Sequence, residues 1–166
     1  MQEIHIFMIT ERDKKFLERA IELSREGMLS GHGGPFGCIV VLGEKVVGEG
    51  NNQVTSRNDP TAHAEIVAIR AACKKLGTFQ LTDCEIYTSC EPCPMCLGAI
   101  YWARPKRVVF ANTREEAAAI EFDDELIYNE IKANMSDRMI PFVHLPHAMA
   151  KEVFEEWMKW EGKKRY

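Results

Sequence analysis

The feature that most constrains this chain is a short cysteine motif that must meet a histidine motif about thirty residues earlier. The later motif reads Cys90-Glu91-Pro92-Cys93-Pro94-Met95-Cys96, and the earlier one reads His63-Ala64-Glu65. Imidazole nitrogen and thiolate sulfur are ligands that zinc favours in proteins. A fold that suits this chain must therefore bring both motifs to one place.

The spacing inside the cysteine motif predicts how two of its thiols are presented. Pro94 directly follows Cys93, which favours the first turn of a helix, and Cys96 then lies on the same face of that turn as Cys93. The positive end of a helix lowers the pKa of a thiol and so stabilises the thiolate that binds a metal. Together with His63, these cysteines supply three zinc ligands and leave a fourth position open, as in catalytic zinc sites.

Glu65 has a separate role in this scheme. It lies two residues after His63, close enough to face the same metal without being a ligand. Two thiolates cancel the charge of Zn²⁺, so a bound water is less acidified than it would be beside three neutral ligands. A neighbouring base is therefore useful, and Glu65 is the candidate.

Three other interpretations of the cysteines stay open. Cys90 could complete a closed structural zinc site, Cys90 and Cys93 could form a redox pair, or the cysteines could be small buried apolar residues. The combination of His-x-Glu with Pro-Cys-x-x-Cys is, however, typical of zinc-dependent nucleobase deaminases. This combination favours a catalytic zinc site over the other three interpretations.

Length and composition indicate one globular domain over residues 1–166. The chain is 46% hydrophobic and 28% charged, so it has enough apolar residues for a core and is not of the disordered class. It has no apolar run of transmembrane length and no basic start of a secretory signal, so we expect a cytoplasmic protein without a membrane partner. Its net charge of −4 argues against a nucleic-acid partner, which usually needs a basic surface.

Periodicity and turn residues predict where the first helices begin and end. We expect a first helix capped by Thr10 and ended by Gly27. A second helix would be capped by Asp59 or Thr61, carry the histidine motif in its first turn, and end at Gly77.

Apolar runs predict the strands. Residues 38–42 and 45–50 form a hairpin, and the strand–helix–strand order from 84–88 to 107–111 implies a parallel pair with a crossover helix. Residues 140–145, with Pro141, would form a final edge strand. Helical patterns occupy residues 113–120 and 126–131, and a C-terminal amphipathic helix is indicated by Ala150, Val153, Phe154, Trp157 and Met158.

Three residues outside the two motifs have more than one interpretation on residue type alone. Phe36, in a glycine-rich loop, is either a core anchor or a pocket wall. Asn52, after the hairpin, either supports a turn or points its amide into a site. Asp124 is either a site residue or, like its neighbour Asp123, a helix N-cap, and residue type favours the N-cap.

The span from residue 16 to residue 166 resembles the cytidine deaminase superfamily, and within it the bacterial guanine deaminases and the related plant guanosine deaminases. The resemblance implies a three-layer α/β/α domain around a five-stranded mixed sheet. It implies one Zn²⁺ per chain on His63, Cys93 and Cys96, with Glu65 as the proton shuttle. The matching stretches are Gly33-Gly34-Pro35-Phe36-Gly37, Asn58-Asp59-Pro60-Thr61-Ala62-His63-Ala64-Glu65, Ser89-Cys90-Glu91-Pro92-Cys93-Pro94-Met95-Cys96-Leu97-Gly98-Ala99-Ile100 and Phe122-Asp123-Asp124.

The same resemblance implies roles for residues around the metal. Asp124 would be a second acid near the leaving amine, and Asn52 a purine-binding amide. Two positions depart from the family pattern, since Glu121 stands where a glycine is expected and Cys38 where an alanine is expected. The full set of implied substrate contacts is Phe36, Asn52, Ala64, Trp102 and Tyr166.

The implied activity is hydrolytic deamination of a free purine base, with guanine converted to xanthine and ammonia. Deaminases of guanosine, of cytosine or of adenosine in tRNA share the zinc motif and stay as alternatives, as does a noncatalytic zinc-stabilised interaction domain. The resemblance also implies a homodimer that exchanges its C-terminal segment, residues 112–166, so that Tyr166 closes the pocket of the partner subunit.

Overall fold

A four-stranded mixed sheet organises the first part of the chain in the computed structural model, which describes residues 8–165. The chain divides into two units, Met1–Asp124 and Glu125–Tyr166. The first unit contains, in order, α1 (Glu11–Leu29), β1 (Gly37–Leu42), β2 (Lys45–Asn51), α2 (Val54–Arg57), α3 (Ala64–Leu76), β3 (Cys84–Cys90), α4 (Pro94–Ala103), β4 (Arg107–Asn112) and α5 (Arg114–Ala118).

The predicted signals at the ends of the first helices have different outcomes. Thr10 caps α1 through a capping box with Asp13, as predicted. Gly27 does not end α1, which continues to Leu29, so that prediction was wrong. Gly27 lies instead where the helix approaches Asn51, and a Cβ there would lie 2.7 Å from the Asn51 Cβ. Gly77 ends α3 in the left-handed conformation, as predicted.

The sheet has the order β2-β1-β3-β4. β1 pairs antiparallel with β2 and with β3, whereas β3 and β4 are parallel and joined by α4. The predicted hairpin, the parallel pair and the mixed character of the sheet are therefore confirmed. In β1, alternate residues point to opposite faces of the sheet, so one strand supplies both cores.

Two cores sandwich the sheet between helices, which gives the three predicted layers. One face packs against α1 through Phe16, Ala20, Leu23, Ile39, Val41 and Tyr87. The other face packs against α3 and α4, and its buried residues are Cys38, Val40, Val47, Ala64, Ala68, Ala72, Leu81, Cys84, Ile86, Ile100 and Ala103.

Glycines allow α3 to lie directly on the sheet. A Cβ at Gly48 or Gly50 would overlap the backbone of α3, at the carbonyl oxygens of Ala68 and Ala64 respectively. The helix therefore contacts β2 backbone to backbone, and its first turn is held against the sheet. This close approach fixes the position of the histidine motif.

The predicted fifth strand, residues 140–145, is wrong. Among the described residues this segment pairs with no strand, and its side chains are exposed. Pro141 and Pro146 have no backbone N–H to donate to a ladder, and an extended segment needs a neighbouring strand to become part of a sheet.

The second unit is helical. It contains α6 (Glu125–Lys132), a 3₁₀ turn (Met135–Asp137) and α7 (Ala148–Lys159), which confirms the amphipathic C-terminal helix. Trp157 and Trp160 contact each other with ring centroids 5.5 Å apart. Within residues 8–165, no helix is both long enough and apolar enough to cross a membrane.

A buried charge network joins α1 to the sheet. Asp13 is fully buried, accepts a hydrogen bond of 2.7 Å from the Tyr87 hydroxyl, and pairs with Arg107. Tyr87 and Arg107 also contact Glu85, at 2.8 and 2.6 Å. Although burial raises the pKa of Asp13, hydrogen bonds from Tyr87, Thr10 and Arg107 hold it well below its usual range.

We predict that Asp13→Asn lowers the free energy of unfolding by about 2–4 kcal/mol, because it leaves buried donors without a charged acceptor. A carboxyl with a depressed native pKa stabilises the fold above its unfolded value of about 3.9 and loses that contribution as the pH falls. Urea unfolding from pH 7 to pH 3 should therefore show a smaller loss of stability for Asp13→Asn than for the unmodified chain. The exposed neighbour Glu11 supplies the control Glu11→Gln, and equal stability of both variants would contradict the assignment.

Candidate metal centre and active site

Two helix N-termini meet at the centre of the candidate site. His63 is the N-cap residue of α3 and Cys93 is the N-cap residue of α4, and neither side chain makes a capping hydrogen bond. The prediction that Asp59 or Thr61 caps α3 was wrong: Asp59 Oδ1 accepts from the Thr61 backbone and hydroxyl in a turn before the helix. Neither N-cap side chain bonds to its own helix, and the two side chains contact each other instead.

The donor atoms of the three predicted ligands have the geometry of a zinc site. His63 Nδ1 lies 3.5 Å from Cys93 Sγ and 3.6 Å from Cys96 Sγ, and the ligand atoms all lie within 4.8 Å of one another. Tetrahedral zinc with ordinary Zn–N and Zn–S bonds separates nitrogen from sulfur by roughly 3.6 Å. The distances from His63 to both cysteines therefore match those of a tetrahedral zinc site.

The electrostatics of the cluster favour metal binding. The Cys96 thiol and His63 lower the pKa of Cys93 to about 4, although burial acts in the opposite direction. The hydrogen bond with Cys93, together with burial, raises the pKa of Cys96. The hydrogen bond with Cys93 also raises the pKa of His63. A bound cation would favour loss of the proton from Cys96, since ligating cysteines bind as thiolates.

Glu65 lies beside this cluster in the first turn of α3. Its side chain is buried, and burial raises the pKa of its carboxyl. One carboxyl oxygen accepts a hydrogen bond of 2.9 Å from the Thr88 hydroxyl, and the other lies 3.3 Å from Cys96 Sγ. A buried carboxyl beside a metal position, with an elevated pKa, is suited to accept and return protons.

Cys90 stands apart from the ligand cluster. The metal-competent group of the described residues consists of His63, Cys93 and Cys96 alone. The Cys90 thiol lies 3.7 Å from the carbonyl oxygen of Thr113, and burial raises its pKa to about 11. This arrangement does not favour a closed four-ligand site or a low-pKa redox pair that includes Cys90.

Phe36 and Asn52 lie next to each other. The Asn52 backbone N–H donates to the Phe36 carbonyl oxygen at 2.9 Å, and the side chain of Asn52 is buried. Asn52 Oδ1 accepts from the Val54 backbone at 3.2 Å, so part of the predicted turn role is present. Phe36 packs against the core on the α3 side, as expected for a core anchor, and its role as a pocket wall stays a prediction.

Asp124 and Phe122 belong to the segment after α5. The Phe122 ring contacts the Phe36 ring edge to face, with centroids 4.9 Å apart. Asp124 lies 3.9 Å from Arg114, and burial raises the pKa of its carboxyl. Glu121 has a φ of 72°, in the left-handed region that favours glycine, so the departure from the family pattern lies at a position with backbone strain.

The other implied substrate contacts have three different outcomes. Ala64 is fully buried at the first position of α3, directly after His63. Trp102 lies on α4 with its side chain 63% exposed, so within one chain it is an open surface and not a closed wall. Tyr166 lies outside the described residues.

Thr88 is the residue near Glu65 that reasoning from sequence missed. The sequence pattern places Thr88 only at the end of a strand. Its signal was present in the alternation of β3, because Thr88 shares a face with Cys84 and Ile86, the face that α3 and α4 cover. A buried polar residue on a helix-covered face needs a hydrogen-bond partner, and here that partner is Glu65.

Comparison with known proteins agrees with this geometry. A family profile described as the cytidine and deoxycytidylate deaminase zinc-binding region matches residues 10–112. A guanine deaminase from Bacillus subtilis (strain 168) is 52% identical over 151 residues, which are 91% of this chain and 97% of that protein. The chain belongs to the cytidine deaminase superfamily, in its guanine deaminase branch.

Solved structures and a second relative extend the comparison. The X-ray structure of guanine deaminase from Bacillus subtilis matches this chain with a TM-score of 0.91 and 50% identity. The match covers 95% of this chain and 99% of that one. A structure in complex with 2,6-diaminopurine matches with a TM-score of 0.65 and 32% identity, over 70% and 65% of the two chains. A tRNA-specific adenosine deaminase from Buchnera aphidicola is 35% identical over 74% of this chain and 80% of its own length.

We predict that Cys90→Ala keeps stoichiometric zinc, because Cys90 lies outside the ligand cluster, whereas Cys93→Ala loses it. Metal analysis of the purified variants measures zinc per chain directly, and the melting temperature reports whether each variant is folded. Loss of zinc from folded Cys90→Ala would support a closed structural site instead.

Proposed function

We propose that this protein is a zinc-dependent hydrolase that converts guanine and water to xanthine and ammonia. The observation that carries this proposal is the His63, Cys93 and Cys96 cluster with the buried Glu65 carboxyl beside it, because this set matches both the ligands and the base that hydrolytic deamination needs. The 52%-identical relative is a guanine deaminase, which supports guanine as the substrate.

His63, Cys93 and Cys96 are proposed to hold one zinc ion per chain. Zinc held there would acidify a water molecule at the open position and polarise the substrate. Glu65 would accept a proton from the attacking water as that oxygen bonds to C2 of guanine. The same carboxyl would then protonate the neighbouring ring nitrogen and, in a second transfer, the departing amine.

The base is proposed to lie between residues that the first unit already holds in place. Asn52 would hydrogen-bond the purine through its amide, and Phe36 would contact the ring. The backbone at Ala64, in the first turn of α3, would contribute an N–H group, since the first N–H groups of a helix have no partner inside it. Asp124 would act as the second acid near the leaving amine, and its elevated pKa supports that role.

The test compares ammonia release from guanine, guanosine, cytosine, adenine and a tRNA containing a target adenosine. We expect guanine to be fastest and guanosine second. Deamination of adenosine in tRNA is the outcome that the 35%-identical relative, a tRNA-specific adenosine deaminase, would favour. Faster turnover of cytosine or of tRNA would contradict the guanine assignment while leaving the zinc chemistry intact.

We predict that Glu65→Gln lowers kcat for guanine by at least about 10²–10⁴-fold, the usual contribution of a general acid–base residue. Its zinc content should stay at the level of the unmodified protein, because Glu65 is not a ligand. Glu18→Gln, an exposed substitution on α1, is the matched control. Near-normal turnover by folded, zinc-loaded Glu65→Gln would remove Glu65 from the mechanism.

We also propose that two copies of the chain form a homodimer by exchanging residues 112–166. Three features support this. β4 is the terminal strand of the sheet, and a terminal strand offers unpaired backbone groups. The side chains of residues 140–145 are exposed, and α7 exposes Val153, Phe154 and Met158. Apolar surface of this kind usually marks an interface, and exchange of identical elements is a common route to a symmetric dimer.

In the proposed dimer, Tyr166 covers the base site of the partner and excludes water from it. We predict that deleting residues 163–166 leaves zinc in place but lowers kcat/KM for guanine on the order of tenfold or more. Lys164→Ala, which keeps the terminal tyrosine, is the control, and light scattering measures whether the particle has twice the mass of one chain. Full activity of the truncated protein would contradict the role of Tyr166, and a monomeric full-length protein would contradict the exchange.

A further inference from the structure

Thr88 makes a buried contact with the proposed base. Its side chain is 0% exposed at the centre of the sheet, where β3 lies between β1 and β4. The Thr88 hydroxyl donates to Glu65 Oε1 at 2.9 Å, and its other possible acceptor, the Gly37 carbonyl oxygen, is more distant at 3.4 Å. A hydroxyl has one proton to donate, so the shorter contact to the carboxyl is the stronger one.

The second oxygen of the Glu65 carboxyl lies on the side of the ligand cluster. Glu65 Oε2 lies 3.3 Å from Cys96 Sγ, whereas Oε1 accepts from Thr88 at 2.9 Å. The two carboxyl oxygens therefore face different neighbours, with the sheet on one side and the candidate metal ligands on the other.

We propose that Thr88 is a positioning residue that anchors one oxygen of Glu65 and leaves the other directed at the reacting water. The catalytic consequence rests on the proposed function of Glu65, but the anchoring itself does not. A glutamate side chain has several rotatable bonds, and a general base must be held close to the proton that it takes. Thr88 supplies that restraint from a rigid strand, since its own position is fixed by the pairing of β3 on both sides.

Two substitutions separate the hydroxyl from the shape of the side chain. Thr88→Val keeps the β-branched shape in the strand and removes the hydroxyl, whereas Thr88→Ser keeps the hydroxyl and removes a methyl group. We expect zinc-loaded Thr88→Val to lose about 10–100-fold in kcat, with KM for guanine changed by less than about threefold. Thr88→Ser should recover kcat to within about threefold of the unmodified protein.

A structural measurement keeps the inference testable whatever the activity. In a crystal structure of the zinc-loaded protein, we expect the Thr88 hydroxyl to stay within hydrogen-bond distance of Glu65, about 2.5–3.0 Å. In zinc-loaded Thr88→Val, the Glu65 carboxyl should be displaced or disordered while the three ligands are unchanged. If Thr88→Val does not fold, the zinc-loaded structure of the unmodified protein and the Thr88→Ser kinetics decide the question.

The outcomes distinguish this inference from the proposed function. Absence of guanine turnover in the unmodified protein would overturn the function, and the zinc-loaded structures would still test the anchoring of Glu65. Unchanged kcat in folded Thr88→Val would overturn the positioning role, as would an equal loss in Thr88→Ser or a Thr88 hydroxyl turned away from Glu65 in the zinc-loaded crystal.

Discussion

The meeting of two helix N-termini over one sheet is the constraint on which the candidate site depends. The side chain of an N-cap residue usually accepts a hydrogen bond from a backbone N–H in the first turn of its own helix. Losing that hydrogen bond costs about 0.5–2 kcal/mol. His63 and Cys93 occupy N-cap positions without such bonds, and their side chains point at each other. The rest of the first unit can hold these ends together because α3 contacts β2 at Gly48 and Gly50 without intervening side chains.

The two faces of the sheet use buried carboxyls in opposite ways. On the α1 side, Asp13 is surrounded by donors that hold its pKa well below the usual range, so the anionic carboxylate stabilises the fold at neutral pH. On the α3 side, burial raises the pKa of Glu65, and the carboxyl has hydrogen bonds with Thr88 and Cys96. A carboxyl that is fully satisfied as an anion is a poor proton carrier, whereas one with a raised pKa can both accept and release protons.

Much of this arrangement could be predicted from the sequence, and the parts that could not have physical reasons. Thr10, Gly77, the hairpin and the parallel β3–β4 pair carried strong local signals, and the spacing of His63, Cys93 and Cys96 predicted a cluster that the structure brings together. Asp59 and Thr61 have side chains that suit a helix N-cap, but they bond to each other in a turn before α3, so the helix begins later than their residue types predict.

The remaining errors involve contacts made far away along the chain. Gly27 resembles a helix end, but its small size is required by Asn51, which no local pattern reveals. Residues 140–145 have the composition of a strand, yet a strand exists only where it pairs with a neighbour, and none of the described strands pairs with this segment. Thr88 was missed for the same reason, because its importance comes from Glu65 on a helix that precedes it by many residues.

The most direct test of the account is a zinc titration of the metal-stripped protein. Zinc is removed with a chelator, returned in measured equivalents, and guanine deamination is followed at each step by ammonia release. We expect no turnover without metal and a linear rise that ends at one zinc per chain. Deamination by the metal-free protein, or a fully zinc-loaded protein that releases no ammonia from guanine, would contradict it.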